Sequence, residues 1–273
     1  MPESPAQTAS DAFRRLLEIV ETLRSEEGCP WDREQTHESL RADTVEEAYE
    51  VVEAIEDRAP SKVAEELGDL LTVVALHARI ATEAGTFSML DVLNGTNEKL
   101  VRRHPHVYGD ADAADTDSVL SAWDAIKRQE PGYEDRTSAL EGVPRGMPSL
   151  MAAWKLQKKA ARVGFDWDEA SQVVAKVREE LAEVEEHIIA HDGHEATEAV
   201  ADEVGDLLFA AVNLARFLRV DPDAALRAAN RKFVRRFRRM EELLAETGDA
   251  MDTKTLEFLD TLWDRAKEEE QAE

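Results

Sequence analysis

Apolar residues recur at helical spacing along most of this chain. The i, i+3, i+4, i+7 pattern of an amphipathic helix appears at Phe13, Leu16, Leu17, Val20 and Leu23, at Val45, Tyr49 and Val52, and at Leu67, Leu70, Leu71 and Val74. Alternating strand patterns are missing, so the sequence predicts an all-α protein with minimal strand content. Asp43 and Thr44 stand before the second segment, and we expect them to cap a helix that begins near Val45.

The polar faces of these helices carry an acidic signature that occurs twice. Each copy reads Glu-Glu-x-x-Glu and then, after a gap, acid-Glu-x-Gly-Asp-Leu-Leu. The repeated acids are Glu47, Glu50, Glu66 and Asp69 in the first copy, and Glu180, Glu183, Glu203 and Asp206 in the second. Because residues three apart share a helix face, two packed helices would bring four carboxylates together. Such a group repels itself unless a cation neutralises it, and oxygen ligands favour a hard ion, Mg²⁺ first.

A solvated acidic face is the alternative explanation of these motifs. Acidic residues make up 59 of the 273 positions, so a single Glu-x-x-Glu has little meaning. The same order of four acids, found twice and fused each time to Gly-Asp-Leu-Leu, is not explained by composition. The repetition therefore indicates a metal site.

The chain is an internal duplication around a segment rich in Pro and Gly. Asn-x-Lys-x-x-x-Arg occurs at 97–103 and 230–236, and Trp-Asp-x-x-Lys occurs at 123–127 and 263–267. Two helix pairs in each half predict tandem antiparallel helical bundles. The expected organisation is a disordered tail at 1–10, an N-terminal domain at 11–130, a linker at 131–150 and a C-terminal domain at 151–273.

Composition limits the partners and the compartment. The net charge of −26 argues against nucleic-acid binding, which requires neutralisation of phosphates by Lys and Arg, although a small phosphorylated substrate remains compatible if cations assist. No apolar run is long enough to span a membrane, and the N-terminus does not resemble a signal peptide. Cys29 is the single cysteine, so an intramolecular disulfide is excluded and a cytoplasmic location is expected.

Basic and aromatic residues recur in step with the acids. Lys99 and Arg103 are four apart, as are Lys232 and Arg236, and both pairs suit phosphate binding. A solvated basic face is the alternative. The repeated tryptophans, Trp123 and Trp263, suit either stacking on a base or anchoring a core or an interface. The loops at 28–32 and 163–167 are interpreted either as rims of a site or as rigid turns.

Other catalytic motifs lack their parts. Neither a Walker loop nor a Gly-x-Ser-x-Gly elbow occurs. A di-iron bundle needs Glu-x-x-His on two helices, and the one instance, Glu34 to His37, falls in a predicted loop. The histidines at 104, 106, 191 and 194 are assigned to turns.

Five motifs taken together resemble the MazG family of nucleoside triphosphate pyrophosphohydrolases. They are Gly-Cys-Pro-Trp-Asp at 28–32, Glu-Glu-Ala-Tyr-Glu at 46–50, Glu-Glu-Leu-Gly-Asp at 65–69, Arg-Arg-His-Pro-His-Val at 102–107 and Val-Gly-Phe-Asp-Trp at 163–167. The resemblance spans about residues 13–267. It implies an all-α NTP-pyrophosphatase fold, dependence on Mg²⁺ and a homodimer. Because the acidic clusters lack any nitrogen or sulfur ligand, Mn²⁺ is expected to substitute for Mg²⁺. The implied reaction cleaves nucleoside triphosphates to the monophosphate and pyrophosphate, with clearance of unwanted nucleotides or a stress response as its purpose.

The resemblance also implies roles for individual residues. Glu180, Glu183, Glu203 and Asp206 would be metal ligands, Lys176, Lys232 and Arg236 would contact the triphosphate, and Trp263 would contact the nucleotide. The first half keeps its own acids, Glu47, Glu50, Glu66 and Asp69, with Lys99 and Arg103 as weaker substrate contacts.

The second half is predicted to be the main nucleotidase. Lys176 lies one helical turn before Glu180, whereas Asp43 holds the matching place before Glu47. Either a cluster carboxylate or Glu179 is expected to act as the base. No base-reading motif is evident, so broad base specificity is expected. The rival hypothesis is a non-catalytic helical dimerisation protein that binds a metal or a nucleotide.

Overall fold

Helices are the regular elements throughout the part of the chain that the computed structural model describes, residues 5–112, 115–130, 138–190, 198–247 and 250–272. No strand occurs in these residues, and the predicted all-α fold is confirmed. The chain divides into two units, unit 1 (residues 1–134) and unit 2 (residues 135–273). None of the described helices is both long and apolar enough to cross a membrane.

Unit 1 contains seven α-helices among its described residues. They are α1 (Pro5–Leu23), α2 (Pro30–Glu34), α3 (Arg41–Glu56), α4 (Pro60–Glu83), α5 (Met89–Arg103), α6 (Pro105–Tyr108) and α7 (Thr116–Arg128).

The centre of unit 1 is the antiparallel pair α3 and α4, against which α1 and α5 pack. Val20 of α1, Leu40 before α3, and Ala75 and Leu76 of α4 form one buried apolar cluster. Full burial of a Val or Leu side chain contributes about 1.5–3 kcal/mol. The acidic residues of α3 and α4 are not members of this buried cluster.

Helix α3 begins at Arg41, and the predicted cap at Asp43 and Thr44 is wrong. The preceding turn is fixed by Thr36 and Ser39, because the backbone N–H of each donates to the side-chain oxygen of the other. The chain is thereby already turned when it reaches Leu40. Thr44 is instead inside the helix, and its hydroxyl donates to the carbonyl of Leu40.

Unit 2 contains five α-helices and one 3₁₀ turn (Met251–Thr253) among its described residues. The helices are α8 (Ser149–Arg162), α9 (Ala170–Ala190), α10 (Glu198–Phe217), α11 (Pro222–Thr247) and α12 (Leu256–Ala272). Helices α9 and α10 form the central pair. Helix α8 packs on α10, and α11 packs on both α12 and α8.

The loop after α8 turns sharply at Gly164. Its φ is +87°, in the left-handed region that favours glycine. The N–H of Gly164 bonds the carbonyl of Ala161, and the N–H of Phe165 bonds the carbonyl of Ala160. These two bonds form a Schellman motif, which ends α8 and turns the following aromatic residues back toward the bundle.

Two helices begin inside segments that the sequence predicts to be a disordered tail and a linker. Helix α1 begins at Pro5, within the predicted tail 1–10, and residues 1–4 lie outside the described residues. Helix α8 begins at Ser149, near the end of the predicted linker 131–150. Residues 131–137 of that linker, and the histidines at 191 and 194, also lie outside the described part.

Candidate metal and nucleotide site

Acidic residues of α3 and α4 converge in unit 1. Glu47, Glu66 and Asp69 each place a carboxylate oxygen within 4.8 Å of the others, and Glu50 is in hydrogen-bonding contact with Glu66. The pKa of Glu47 is raised, first by burial and then by repulsion from Glu50 and Asp69. The pKa of Glu66 is raised as well, by burial and by Glu50. Without a cation this cluster therefore repels itself.

The donor set of unit 1 fits a divalent cation. The Oε2 atom of Glu47 is buried and has no hydrogen-bond partner among the described residues. A buried carboxylate oxygen without a hydrogen-bond partner lowers the stability of the folded protein, and a bound cation would satisfy this oxygen. All the converging atoms are carboxylate oxygens, which are ligands suited to Mg²⁺ or Mn²⁺.

In the matching cluster of unit 2, three carboxylates converge and the fourth predicted acid lies outside the group. Glu180, Glu183 and Glu203 bring carboxylate oxygens within 4.8 Å of one another. Asp206 is exposed on α10 and does not belong to this group of three. The pKa of Glu183 is raised, first by its hydrogen bond with Glu180 and then by burial.

Lys176 distinguishes the cluster of unit 2. Its Nζ donates to Glu179 at 2.9 Å and lies 2.6 Å from Oε1 of Glu180. The hydrogen bond from Lys176 lowers the pKa of the buried Glu180, and the two glutamates raise the pKa of Lys176. On the other side, Nε2 of His187 lies 3.7 Å from Oε1 of Glu203. The charge of Lys176 thus partly compensates the carboxylates of Glu179 and Glu180 within the protein.

In unit 1 the position that matches Lys176 is occupied by Asp43. This carboxylate is among the groups that raise the pKa of Glu47. The acidic cluster of unit 2 therefore lies beside a positive charge, Lys176, whereas the similar cluster of unit 1 lies beside a negative charge, Asp43.

The predicted phosphate-binding arginine of unit 2 is held by a glutamate. Arg235 and Arg236 of α11 both bind Glu270 of α12, each with a shortest distance of 2.7 Å. The guanidinium of Arg236 lies 5.8 Å from the ring centre of Trp263, which also contacts Phe233 at 5.3 Å. Only Nε of Arg236 is used by Glu270, so among the described residues its terminal nitrogens keep their donors available.

Unit 1 repeats this arrangement with closer pairing. Arg102 and Arg103 each donate to Glu130 through two nitrogens, Arg102 to one carboxylate oxygen and Arg103 to both. The arginines lower the pKa of Glu130 to about 2, Arg103 having the larger effect. Arg103 also lies 5.2 Å from the ring centre of Trp123. The guanidinium of Arg103 is thus committed to structure.

Sequence reasoning missed both glutamates, although a signal was present. Glu130 is the seventh residue after Trp123, and Glu270 is the seventh after Trp263. The repeated motif is therefore Trp-Asp-x-x-Lys-x-x-Glu. The remaining predicted contacts, Lys99 and Lys232, are exposed and have no ion pair among the described residues.

A histidine pair in unit 1 was also missed. The Nδ1 atoms of His37 and His77 are 2.8 Å apart, and Nε2 of His77 contacts the Thr44 hydroxyl at 3.1 Å. Burial, and to a lesser degree His37, lowers the pKa of His77. Because one Nδ1 donates and the other accepts, this hydrogen bond joins the turn before α3 to α4. Only the packing of these elements revealed it.

Comparison with known proteins finds the same domain family in both halves of the chain. A family model described as "MazG nucleotide pyrophosphohydrolase domain" matches residues 35–108 and again residues 169–240. These two stretches contain both acidic clusters and both arginine pairs.

Individual relatives cover nearly the whole chain. A protein of Thermotoga maritima named "Nucleoside triphosphate pyrophosphohydrolase/pyrophosphatase MazG" is 46% identical over 255 residues, which are 93% of this chain and 95% of that protein. The "Nucleoside triphosphate pyrophosphohydrolase" of Escherichia coli K12 is 44% identical over 263 residues, with coverage of 94% and 97%. The "Uncharacterized protein YabN" of Bacillus subtilis is 44% identical over 258 residues, which are 94% of this chain and 52% of that protein.

Proposed function

Because this chain belongs to the MazG nucleotide pyrophosphohydrolase family, we propose that it hydrolyses nucleoside triphosphates to nucleoside monophosphates and pyrophosphate. The observation that carries the proposal is the carboxylate cluster with an ammonium group 2.6 Å from one of its members. Acids alone would suit a structural cation. Acids beside the ammonium group of a lysine suit a substrate that brings phosphates together with a metal ion.

Mg²⁺, or Mn²⁺ in its place, is the ion that we assign to the clusters. Glu180, Glu183 and Glu203 would hold it in unit 2, and Asp206 would join them. When bound, such an ion lowers the pKa of a water molecule and neutralises charge on phosphate oxygens. The proton of the attacking water would pass to a cluster carboxylate or to Glu179, which is exposed beside Lys176.

The basic residues would bind the triphosphate. Lys176 would exchange Glu180 for a phosphate oxygen, which frees that carboxylate for the ion. Arg236 would offer its terminal nitrogens while Glu270 holds its Nε, and the exposed Lys232 lies one turn before it on α11. Trp263 would contact the nucleotide beside Arg236. These residues position charge around the α-phosphorus, where attack by water yields the monophosphate and pyrophosphate.

We assign the main activity to unit 2. Its cluster includes Lys176, and its arginine keeps free donors among the described residues. In unit 1 the matching lysine position is Asp43, and both oxygens of Glu130 engage Arg103. Lys99 and Arg103 are accordingly the weaker substrate contacts.

A homodimer is part of the proposal. Leu67 and Leu71 of α4 occupy the same repeat positions as Val204 and Leu208 of α10, and all four are exposed. Apolar side chains at equal places in both units favour packing against a partner bundle. A monodisperse monomer in small-angle scattering would contradict this assignment.

A product assay tests the chemistry. Purified protein with a nucleoside triphosphate and Mg²⁺ is expected to release pyrophosphate and no orthophosphate, and chelation by EDTA is expected to stop the reaction. Purine and pyrimidine triphosphates are all expected to react. Release of orthophosphate and the diphosphate would place attack at the γ-phosphorus and contradict the proposal.

A matched pair of variants ties the activity to the cluster. Glu183→Ala removes a cluster carboxylate, whereas Glu185→Ala removes an exposed carboxylate from another face of the same helix α9. Only the first is expected to abolish pyrophosphate release. Metal binding without any product in the wild-type protein would instead support the non-catalytic binding protein.

A further inference from the structure

An imidazole that is not part of the repeated motif lies beside the acidic cluster of unit 2. His187 is on α9, seven residues after Glu180 and four after Glu183. Residues at i, i+3 and i+7 share one face of a helix, so His187 extends the row of acids on α9 by one turn. The repeated motif contains only oxygen ligands, and this side chain adds a nitrogen.

The ring of His187 faces a carboxylate of the neighbouring helix α10. Nε2 of His187 and Oε1 of Glu203 are 3.7 Å apart. This separation is too long for a hydrogen bond. Two ligands that each lie about 2.1 Å from one ion are about 3 to 4 Å apart. The two atoms are therefore spaced as two ligands of a shared cation would be, and an ion pair is the other explanation of the contact.

Glu203 connects His187 to the carboxylates of α9. An oxygen of Glu203 lies within 4.8 Å of oxygens from Glu180 and Glu183. His187 is outside this compact group of three, but its side chain is 36% exposed and has room to turn. Rotation about the side-chain torsions of His187 would bring its nitrogen toward the atoms that Glu203 already approaches.

An imidazole nitrogen changes which divalent ions a carboxylate site prefers. Carboxylate oxygens suit Mg²⁺, whereas imidazole suits transition ions, with an affinity that rises from Mn²⁺ to Co²⁺. Mg²⁺ retains its water ligands and gains little from a nitrogen. A site of three carboxylates and one imidazole therefore favours transition ions over Mg²⁺ more strongly than a site of oxygen ligands alone.

Unit 1 lacks this nitrogen and supplies the comparison. When the two halves are aligned on their Glu-Glu-x-x-Glu motifs, Ala54 holds the position of His187. Ala54 is 2% exposed, and its methyl group offers no ligand atom. The duplication therefore provides two similar carboxylate clusters that differ at this position in a nitrogen ligand.

We propose that Nε2 of His187 is a ligand of the divalent cation in unit 2 and makes this site selective for transition ions over Mg²⁺. The presence of that cation at Glu180, Glu183 and Glu203 is part of the proposed function, on which this assignment rests. Unit 2 is thereby a mixed oxygen and nitrogen site, whereas unit 1 offers oxygen ligands. The two halves of the chain differ in the ion that they select.

Pulsed electron paramagnetic resonance tests the assignment, because it detects the nuclear spin of a nitrogen bound directly to Mn²⁺. The full chain carries Glu47→Gln, which weakens the site of unit 1, and Mn²⁺ alone is added. An imidazole ¹⁴N coupling is expected. Incorporation of ¹⁵N-labelled histidine is expected to convert it to a ¹⁵N coupling, and His187→Gln is expected to abolish it.

Two controls assign the coupling to a single side chain. His191→Gln changes a histidine in the segment after α9, outside the described residues, and is expected to keep the coupling. In a second chain, Glu183→Gln weakens the site of unit 2 and leaves Mn²⁺ in unit 1. No imidazole coupling is expected there.

Calorimetric titration with Co²⁺ and with Mg²⁺ measures the selectivity of unit 2. Residues that only support a metal ligand are worth about tenfold or more in metal affinity, so loss of the ligand itself is expected to weaken Co²⁺ binding by at least about tenfold. The affinity for Mg²⁺ is expected to change much less in His187→Gln, because a water molecule replaces the imidazole readily.

The outcomes separate the role of His187 from the proposed function. Absence of the imidazole coupling, or its persistence in His187→Gln, would overturn this role and leave pyrophosphate release intact. Equal losses of Co²⁺ and Mg²⁺ affinity in His187→Gln would overturn the selectivity. A coupling that depends on His187 without pyrophosphate release would support the ligand and reject the proposed reaction. Failure of unit 2 to bind Mn²⁺ would overturn both.

Discussion

Replacement of Lys176 by Met is expected to raise the affinity of unit 2 for a free divalent cation while reducing pyrophosphate release. The ammonium group lies 2.6 Å from Oε1 of Glu180 and 2.9 Å from Oε1 of Glu179. An incoming cation must therefore compete with Lys176 for Glu180. Methionine keeps a similar length and removes the charge.

The magnitude follows from Coulomb's law. A single positive charge about 4 Å from a divalent cation costs about 2 kcal/mol in a water-like dielectric. That dielectric is appropriate because the Lys176 side chain is 38% exposed. An energy of this size corresponds to about a thirtyfold change in affinity. The substrate arrives with its own negative charge, so the same substitution removes an attraction and raises the KM.

Calorimetric titration with Mn²⁺ measures the first effect, and pyrophosphate release measures the second. Glu47→Gln in the same chain weakens the metal site of unit 1, so that the titration reports mainly on unit 2. Lys267→Met, an exposed lysine on α12, is the control for charge removal alone. Unchanged Mn²⁺ affinity in Lys176→Met, or faster pyrophosphate release at low substrate, would refute the reasoning.

Four further predictions concern the two acidic clusters, the ion pairs of Glu130, the turn at Gly164, and Asp43, which occupies in unit 1 the position of Lys176. Glu203→Ala is expected to reduce pyrophosphate release by about two orders of magnitude or more, whereas Glu66→Ala keeps the larger part; equal losses would mean two working sites or one shared site. Glu130→Gln is expected to lower the melting temperature at neutral pH. Because the folded-state pKa of Glu130 is about 2, its stabilisation is complete above the ordinary carboxylate range and is lost as pH falls toward 2; a melting-temperature difference independent of pH would contradict this. Gly164→Ala is expected to cost about 1 kcal/mol in chemical denaturation because of its positive φ, whereas Gly146→Ala, without a positive φ, should cost much less. Asp43→Asn is expected to weaken Mn²⁺ binding by unit 1, measured by calorimetric titration in a chain that has Glu47 intact and carries Glu183→Gln to weaken the site of unit 2.

Much of the architecture was determined by local patterns. Apolar residues at helical spacing predicted the helices that carry the clusters, because an amphipathic helix needs only its own period to define a buried face. The duplication was visible because the same motifs recur in the same order. The convergence of Glu47, Glu66 and Asp69, and of Glu180, Glu183 and Glu203, agrees with the expectation that paired helices bring their acids together.

Local patterns failed where a partner lay far along the chain. The start of α3 was misplaced because the turn at Thr36 and Ser39, and not Asp43, prepares the helix. Asp206 shares its motif with Asp69 but is not in the compact group of unit 2, since the exact helix rotation decides which carboxylates meet.

Only the tertiary structure decided which charges neutralise each other. Glu130 and Glu270 reach the arginine pairs across helix interfaces, so the sequence showed basic residues without showing that they were already bound. The approach of His187 to Glu203 required α9 and α10 together. A sequence records the period of a helix face directly, because that period is local. Whether a side chain is paired, buried or left facing a metal site depends on elements that only packing brings together.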